Sequence, residues 1–101
     1  MACYLFAHFI GESYEQGEQI YFSVSEDGLH WQDLNGGQPV LCSPLGELGG
    51  RDPFVVKHPR TGRYFMIATD LNIYRLRDWG KVVTTGSRAL IVWESDDLVN
   101  W

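Results

Sequence analysis

The sequence predicts an all-β chain: about two blades of a β-propeller, each an antiparallel sheet of up to four strands. Three features carry the expectation. Residues 20–31 and 90–101 read almost alike at an offset of 70, each an apolar run closed by Ser-x-Asp-x-x-x-Trp. The likeness reaches further back, since Tyr4-Leu5-Phe6-Ala7 precedes the first copy much as Tyr64-Phe65-Met66-Ile67-Ala68 precedes the second. A strand-built repeat of this length fits a blade. The third feature is the set of continuously apolar runs at 54–56, 64–68 and 90–93, the pattern of strands whose sheet is covered on both faces.

Taken in order, residues 3–9 are apolar enough for a strand, and 10–18, with Gly11, Gly17 and three glutamates, form a polar loop. Residues 19–25 form a second strand, closed by the turn before Trp31. After the Asn35-Gly36-Gly37 turn signal, Pro39-Val40-Leu41-Cys42 reads as a short third strand, and the Gly-rich segment 43–50 as a loop. A strand at 52–57 turns through His58-Pro59-Arg60-Thr61-Gly62 into a strand at 64–69. A long loop over about 71–88, with Trp79, Gly80 and Gly86, leads to a last strand at 89–95. No long amphipathic helix is expected. By strand count, residues 1–42 read as a closing blade without its innermost strand and 43–101 as a first blade without its outer strand. The chain is thus expected to be the opening part of a longer propeller, and the open edges beside 3–9 and 89–95 predict self-association.

Composition narrows the function classes. At 45% hydrophobic and 14% aromatic the chain can bury one small core and is not expected to be disordered. The net charge of −5, without a Lys/Arg run, argues against nucleic acid. Cys3 and Cys42 form neither a C-x-x-C pair nor a disulfide framework, and are expected to be buried reduced thiols. His8, His30 and His58 share no ligand spacing, so neither a metal nor another cofactor is expected. No apolar run approaches the ~20 residues of a membrane helix, and no cationic leader opens the chain, so no membrane is expected. As written, the chain reads as cytoplasmic, although a leader removed ahead of this numbering would leave no trace.

Several motifs in order resemble a known family. Arg51-Asp52-Pro53-Phe54-Val55-Val56, then Arg63-Tyr64-Phe65-Met66-Ile67-Ala68-Thr69-Asp70, then Ser95-Asp96-Asp97-Leu98-Val99-Asn100-Trp101 look like the first blade of glycoside hydrolase family 43. The family consists of five-bladed propellers that cleave arabinofuranosyl and xylosyl linkages. The resemblance implies inverting hydrolysis, in which an Asp activates water, a Glu protonates the leaving oxygen and a second Asp tunes that acid. The base and acid carboxyl groups then stand roughly 6.5–9.5 Å apart to admit the water. Asp52 matches the base. The acid and the tuning Asp belong to later blades, no Glu of this chain matches the acid by motif, and the chain alone is expected to be inactive.

Strand direction places loops 43–51 and 71–88 at the same end as Asp52 and the two Ser-x-Asp-x-x-x-Trp turns at the other. Asp27 and Asp97 are therefore expected to build turns, and Trp31 and Trp101 to anchor them. Asp52 is either the base or a turn-capping residue before Pro53. Arg51 either pairs with Asp52, lowering its pKa, or is solvated. As substrate-binding candidates beside Arg51, Asp70 either bonds a sugar hydroxyl or starts the loop, and Trp79 either stacks on a sugar or seals the loop. A carbohydrate containing arabinose or xylose is the expected partner. The alternatives are a non-catalytic carbohydrate-binding or structural propeller module and an unrelated β-sandwich, which has no need of the repeat.

Overall fold

A computed structural model describes residues 3–101. Two three-stranded antiparallel sheets carry the fold. The first contains β1 (Tyr4–His8), β2 (Tyr21–Ser25) and β3 (Gln32–Asp33), and the second contains β4 (Gly50–Lys57), β5 (Tyr64–Asp70) and β6 (Leu90–Ser95). The chain is all-β in its framework, and two short helices interrupt the segment expected to be loop: α1 (Ile73–Leu76) and α2 (Trp79–Thr85). Each is started by a side chain that no apolar periodicity announces. The Asn72 side chain accepts from the Arg75 N–H at 3.0 Å, and Asp78 from the Lys81 N–H at 3.0 Å.

The repeat is structural and in register. Tyr4 faces Ser25 across β1 and β2 as Tyr64 faces Ser95 across β5 and β6, and His8 faces Tyr21 as Ala68 faces Ile91. The third strand of the first sheet differs from expectation. It is Gln32–Asp33, pairing with Val24 and Ser23, whereas 39–42 contributes only a bridge between Leu41 and Ile20. Residues around the Asn35–Gly37 3₁₀ turn are looped out between these contacts. Pro39 has no N–H for a ladder, and Asn35 Nδ2 donates to the Pro39 carbonyl at 2.9 Å, closing the excursion on itself.

The sheets stack face to face. Ile20, Phe22, Met66 and Ala68 form the buried centre, with Leu5, Ala7, Val55, Trp93 and Trp101 packed around it. The apolar strands of the second sheet are covered on this face only: Phe54, Val56, Ile67, Leu90 and Val92 alternate with the buried set and are exposed. Among the described residues no third sheet lies against them, which is why a pattern suited to two-sided burial meets solvent here. The cysteines also depart from expectation, since Cys3 and Cys42 are both free and exposed.

Both Ser-x-Asp-x-x-x-Trp turns share one hydrogen-bond plan. Ser25 Oγ accepts from the N–H groups of Asp27 and Gly28, Asp27 Oδ1 accepts from those of Leu29 and His30, and the Trp31 indole donates to the Gly28 carbonyl. Ser95, Asp97 and Trp101 repeat each bond around Leu98, Val99 and Asn100. The fourth residue is left-handed in both, Gly28 at φ 78° and Leu98 at φ 68°. A Cβ at Gly28 would come no nearer than 3.9 Å to the Tyr4 ring, so a substitution there meets no clash. Gly28→Ala is therefore expected to cost about 1–2 kcal/mol through the backbone alone. A urea midpoint unchanged from wild type would show that the turn relaxes.

These bonds hold both aspartates well below the ordinary carboxylate range. For Asp27 the largest cause is the His30 N–H, followed by the His30 ring; for Asp97 it is the Asn100 N–H, followed by that of Val99. A carboxyl depressed in the folded state contributes stability that is present above its unfolded pKa, near 3.9, and is lost as pH falls through the folded value. Acid unfolding of the wild type should thus steepen below about pH 4, and the Asp27→Asn/Asp97→Asn variant should show a flatter acid limb. Equal limbs in chemical denaturation across pH would contradict the coupling.

Candidate active site

The strand directions gather the loops 9–20, 43–49 and 71–89 at one end of the stacked sheets and the two aspartate turns at the other. Asp52 sits at the loop-rich end in a bulge. Arg51 faces Thr69 and Phe54 faces Ile67, so β4 carries one residue more than its partner between these pairs. The bulge re-aims the strand. Asp52 takes φ 50°, a left-handed conformation that costs most residues energy and that aspartate tolerates better than most. A following proline disfavours helical backbone at the residue before it, so local preference does not explain this conformation. The residue is exposed. It lines an open groove of about 420 Å³ with Phe6, Ala7, His8, Phe9, Pro53 and Phe54. Hollows of similar volume occur elsewhere, one of about 480 Å³ beside Asp27 and His30, so size does not distinguish this groove; what distinguishes it is a bulge-borne carboxylate with no side-chain partner among the described residues.

Arg51 neither pairs with Asp52 nor lies in solvent. Its Nη1 donates to Glu18 at 3.0 Å and to Glu12 at 3.4 Å, and its side chain is only 13% exposed. The guanidinium carbon lies 4.6 Å from the Phe9 ring centre and 5.2 Å from that of Trp79, two cation–π contacts. Glu12 is pushed below the usual glutamate range, first by its own backbone N–H and then by Arg51 and the Trp79 indole. Trp79, at the start of α2, keeps 47% of its surface exposed.

Asp70 is buried, and both its oxygens are engaged: Oδ1 accepts from the Glu47 N–H at 2.8 Å and Oδ2 from the Ser87 hydroxyl at 2.6 Å. It ties loop 43–49 to the segment entering β6. A side chain at Gly46, itself at φ 57°, would collide with that carboxylate, so the loop can close over Asp70 only with glycine there.

The residue that sequence reasoning missed is Glu18. It is 1% exposed; its carboxylate accepts from the Ile73 and Tyr74 N–H groups, each at 2.8 Å, and from Arg51, while its carbonyl accepts from the Gly50 N–H at 2.7 Å. One carboxylate thereby caps α1 and braces the start of β4. No local signal marks it, because its partners lie 33, 55 and 56 residues away. His8 was expected on the surface or in packing; it stacks on Phe6 and Tyr21 with ring centres 4.8 and 5.8 Å apart and lines the Asp52 groove. Among the described residues no cluster of three or more metal-ligating side chains occurs.

An exposed carboxylate on a bulge beside an aromatic groove, over loops fixed by buried acids, is an arrangement suited to carbohydrate chemistry. The whole chain, residues 1–101, matches the family described as a probable glycosyl hydrolase domain, related to glycoside hydrolase family 43, and the chain belongs to that family. It is 34% identical over 87 residues to an alpha-L-arabinofuranosidase of Bifidobacterium longum subsp. longum. The alignment covers 84% of this chain and 8% of that relative, so the chain spans a small part of the curated relative's length. No solved structure matches it.

Proposed function

We propose that these residues form the base-bearing part of a glycoside hydrolase that removes arabinofuranosyl or xylosyl units with inversion, and that Asp52 is the general base. The observation that carries this reading is the placement of Asp52: an exposed carboxylate held left-handed in a bulge at the loop-rich end, with no protein partner for its oxygens among the described residues. Strained backbone of this kind persists only where the surroundings over-determine it, and it clusters at working sites. Family membership and the name of the Bifidobacterium relative favour an arabinofuranoside as substrate.

In this reading the two sheets are neighbouring blades of a propeller, and their edge strands β1 and β6 are where further strands, or a second copy, pair. Asp52 takes a proton from a water whose oxygen attacks the anomeric carbon. As the new bond forms the glycosidic bond breaks, and the leaving oxygen receives its proton from an acid outside this chain. Trp79 offers an indole face to the sugar, and Arg51 and Asp70 act from beneath by holding the loops. The test is the anomeric configuration of the first-formed product. The full-length polypeptide carrying this chain is incubated with an aryl α-L-arabinofuranoside or β-D-xyloside and followed by proton NMR. Inversion is expected, and the 101-residue chain by itself should give no turnover. Retention of configuration would remove the base role from Asp52.

A further inference from the structure

We infer that Glu18 is a positioning residue for the reaction, acting through Arg51 to fix the aim of Asp52; this rests on the reading of Asp52 as the base. A left-handed aspartate in a bulge before proline needs an external restraint, and β4 receives one at the two positions just before it. The Gly50 N–H is held by the Glu18 carbonyl at 2.7 Å, and the Arg51 guanidinium by the Glu18 carboxylate at 3.0 Å. The Phe9 and Trp79 rings both lie within cation–π distance of the guanidinium carbon, so aromatic neighbours hold it as well as the carboxylates. After Asp52, Pro53 fixes its own φ and Phe54 rejoins the ladder opposite Ile67. The bulge is therefore clamped at both ends, with Glu18 as the anchor on one side. The same carboxylate holds the first two N–H groups of α1, so the segment that carries Trp79 is registered to the same point as the segment that carries Asp52. A single buried acid sets the distance between the base and the loop that faces the sugar.

Steady-state kinetics on the full-length polypeptide test this, with Asp52→Asn, Glu18→Gln and Arg51→Lys measured beside wild type well below their melting temperatures. Glu18→Gln keeps an acceptor for α1 but withdraws the charge from Arg51. Arg51→Lys keeps the charge and loses the planar fork that meets the carboxylates and the two rings. Each is expected to lower kcat by about 10²-fold, the scale of a misplaced catalytic group, with KM within about twofold. If Glu18→Gln does not fold, Arg51→Lys decides. Wild-type kcat in the folded variants, with Asp52→Asn inactive, would overturn the positioning role while leaving the base in place. A raised KM at unchanged kcat would mean that the guanidinium meets the sugar directly, and would overturn it too. An active Asp52→Asn would remove the base assignment itself, and this inference with it.

Discussion

With Asp52 as the general base proposed above, Asp52→Asn in a full-length polypeptide carrying this chain is expected to lower kcat by about 10²–10⁴-fold, the usual contribution of a general base, while the melting temperature stays close to that of wild type. The two halves of this expectation have separate causes. The rate falls because an amide cannot take the proton from the attacking water, and the substitution is nearly isosteric, so groove shape and substrate affinity are kept. The fold survives because the Asp52 side chain is exposed and has no protein partner among the described residues, so that no bond is lost. Asparagine is also among the few residues that tolerate the φ of 50° found here, whereas alanine would add about 1–2 kcal/mol of backbone strain to the loss of function. Activity and thermal melting should be measured on the same preparation. A variant with wild-type turnover would end the assignment of Asp52 as base. A variant that loses activity only in step with its folded fraction would reduce Asp52 to a turn residue.

Glu18→Ala is expected to have the largest effect on stability, about 3 kcal/mol, the lower end of the cost of breaking a buried ion pair, because Arg51 keeps a second, more exposed partner in Glu12 at 3.4 Å. Glu18 is 1% exposed and the Arg51 side chain 13% exposed, so water cannot readily replace the lost carboxylate. The same change leaves the Ile73 and Tyr74 N–H groups at the start of α1 without an acceptor. For a domain of this size, a loss on this scale lowers the melting temperature by roughly 12 °C or more. Circular dichroism melts of wild type and variant are the check. A shift equivalent to less than about 1 kcal/mol would mean that the pair behaves as an exposed surface bridge. The Arg63 pairs with Glu94 and Asp96 supply the contrast. Both are at 3.0 Å, yet Glu94 and Asp96 are exposed and Arg63 is only partly buried, so removing Asp96 should change stability by less than about 1 kcal/mol.

Much of the framework was legible because it is written in short-range patterns. The Ser-x-Asp-x-x-x-Trp copies specified two turns bond for bond, since serine and aspartate side chains satisfy N–H groups two and three residues ahead whatever the rest of the chain does. β4, β5 and β6 were readable from apolar runs bounded by turn residues, and alternation of strand direction then placed Asp52 with loops 43–51 and 71–88. The third strand of the first sheet was misplaced because Gln32–Asp33 is polar and two residues long, so its pairing rests on backbone bonds to β2 alone. The helices α1 and α2 were not seen, because at four and seven residues they are too short for periodicity and depend on the caps from Asn72, Asp78 and Glu18.

By itself, then, the sequence determined the strand framework, the repeat, the end of the molecule at which Asp52 lies and the family resemblance. Each of these follows from residues close together in the chain or from motifs in a fixed order. Only the tertiary structure decided that Arg51 turns away from Asp52 to Glu18 and Glu12, that Asp70 is a buried strut, that one face of the second sheet is open, and that Asp52 sits in a strained bulge. Each of those outcomes depends on which distant groups pack against a residue and which leave it to water. A carboxylate in solvent and a carboxylate closed in among N–H groups and a guanidinium carry the same letter in the sequence, and burial alone separates the brace at Glu18 from the free acid at Asp52.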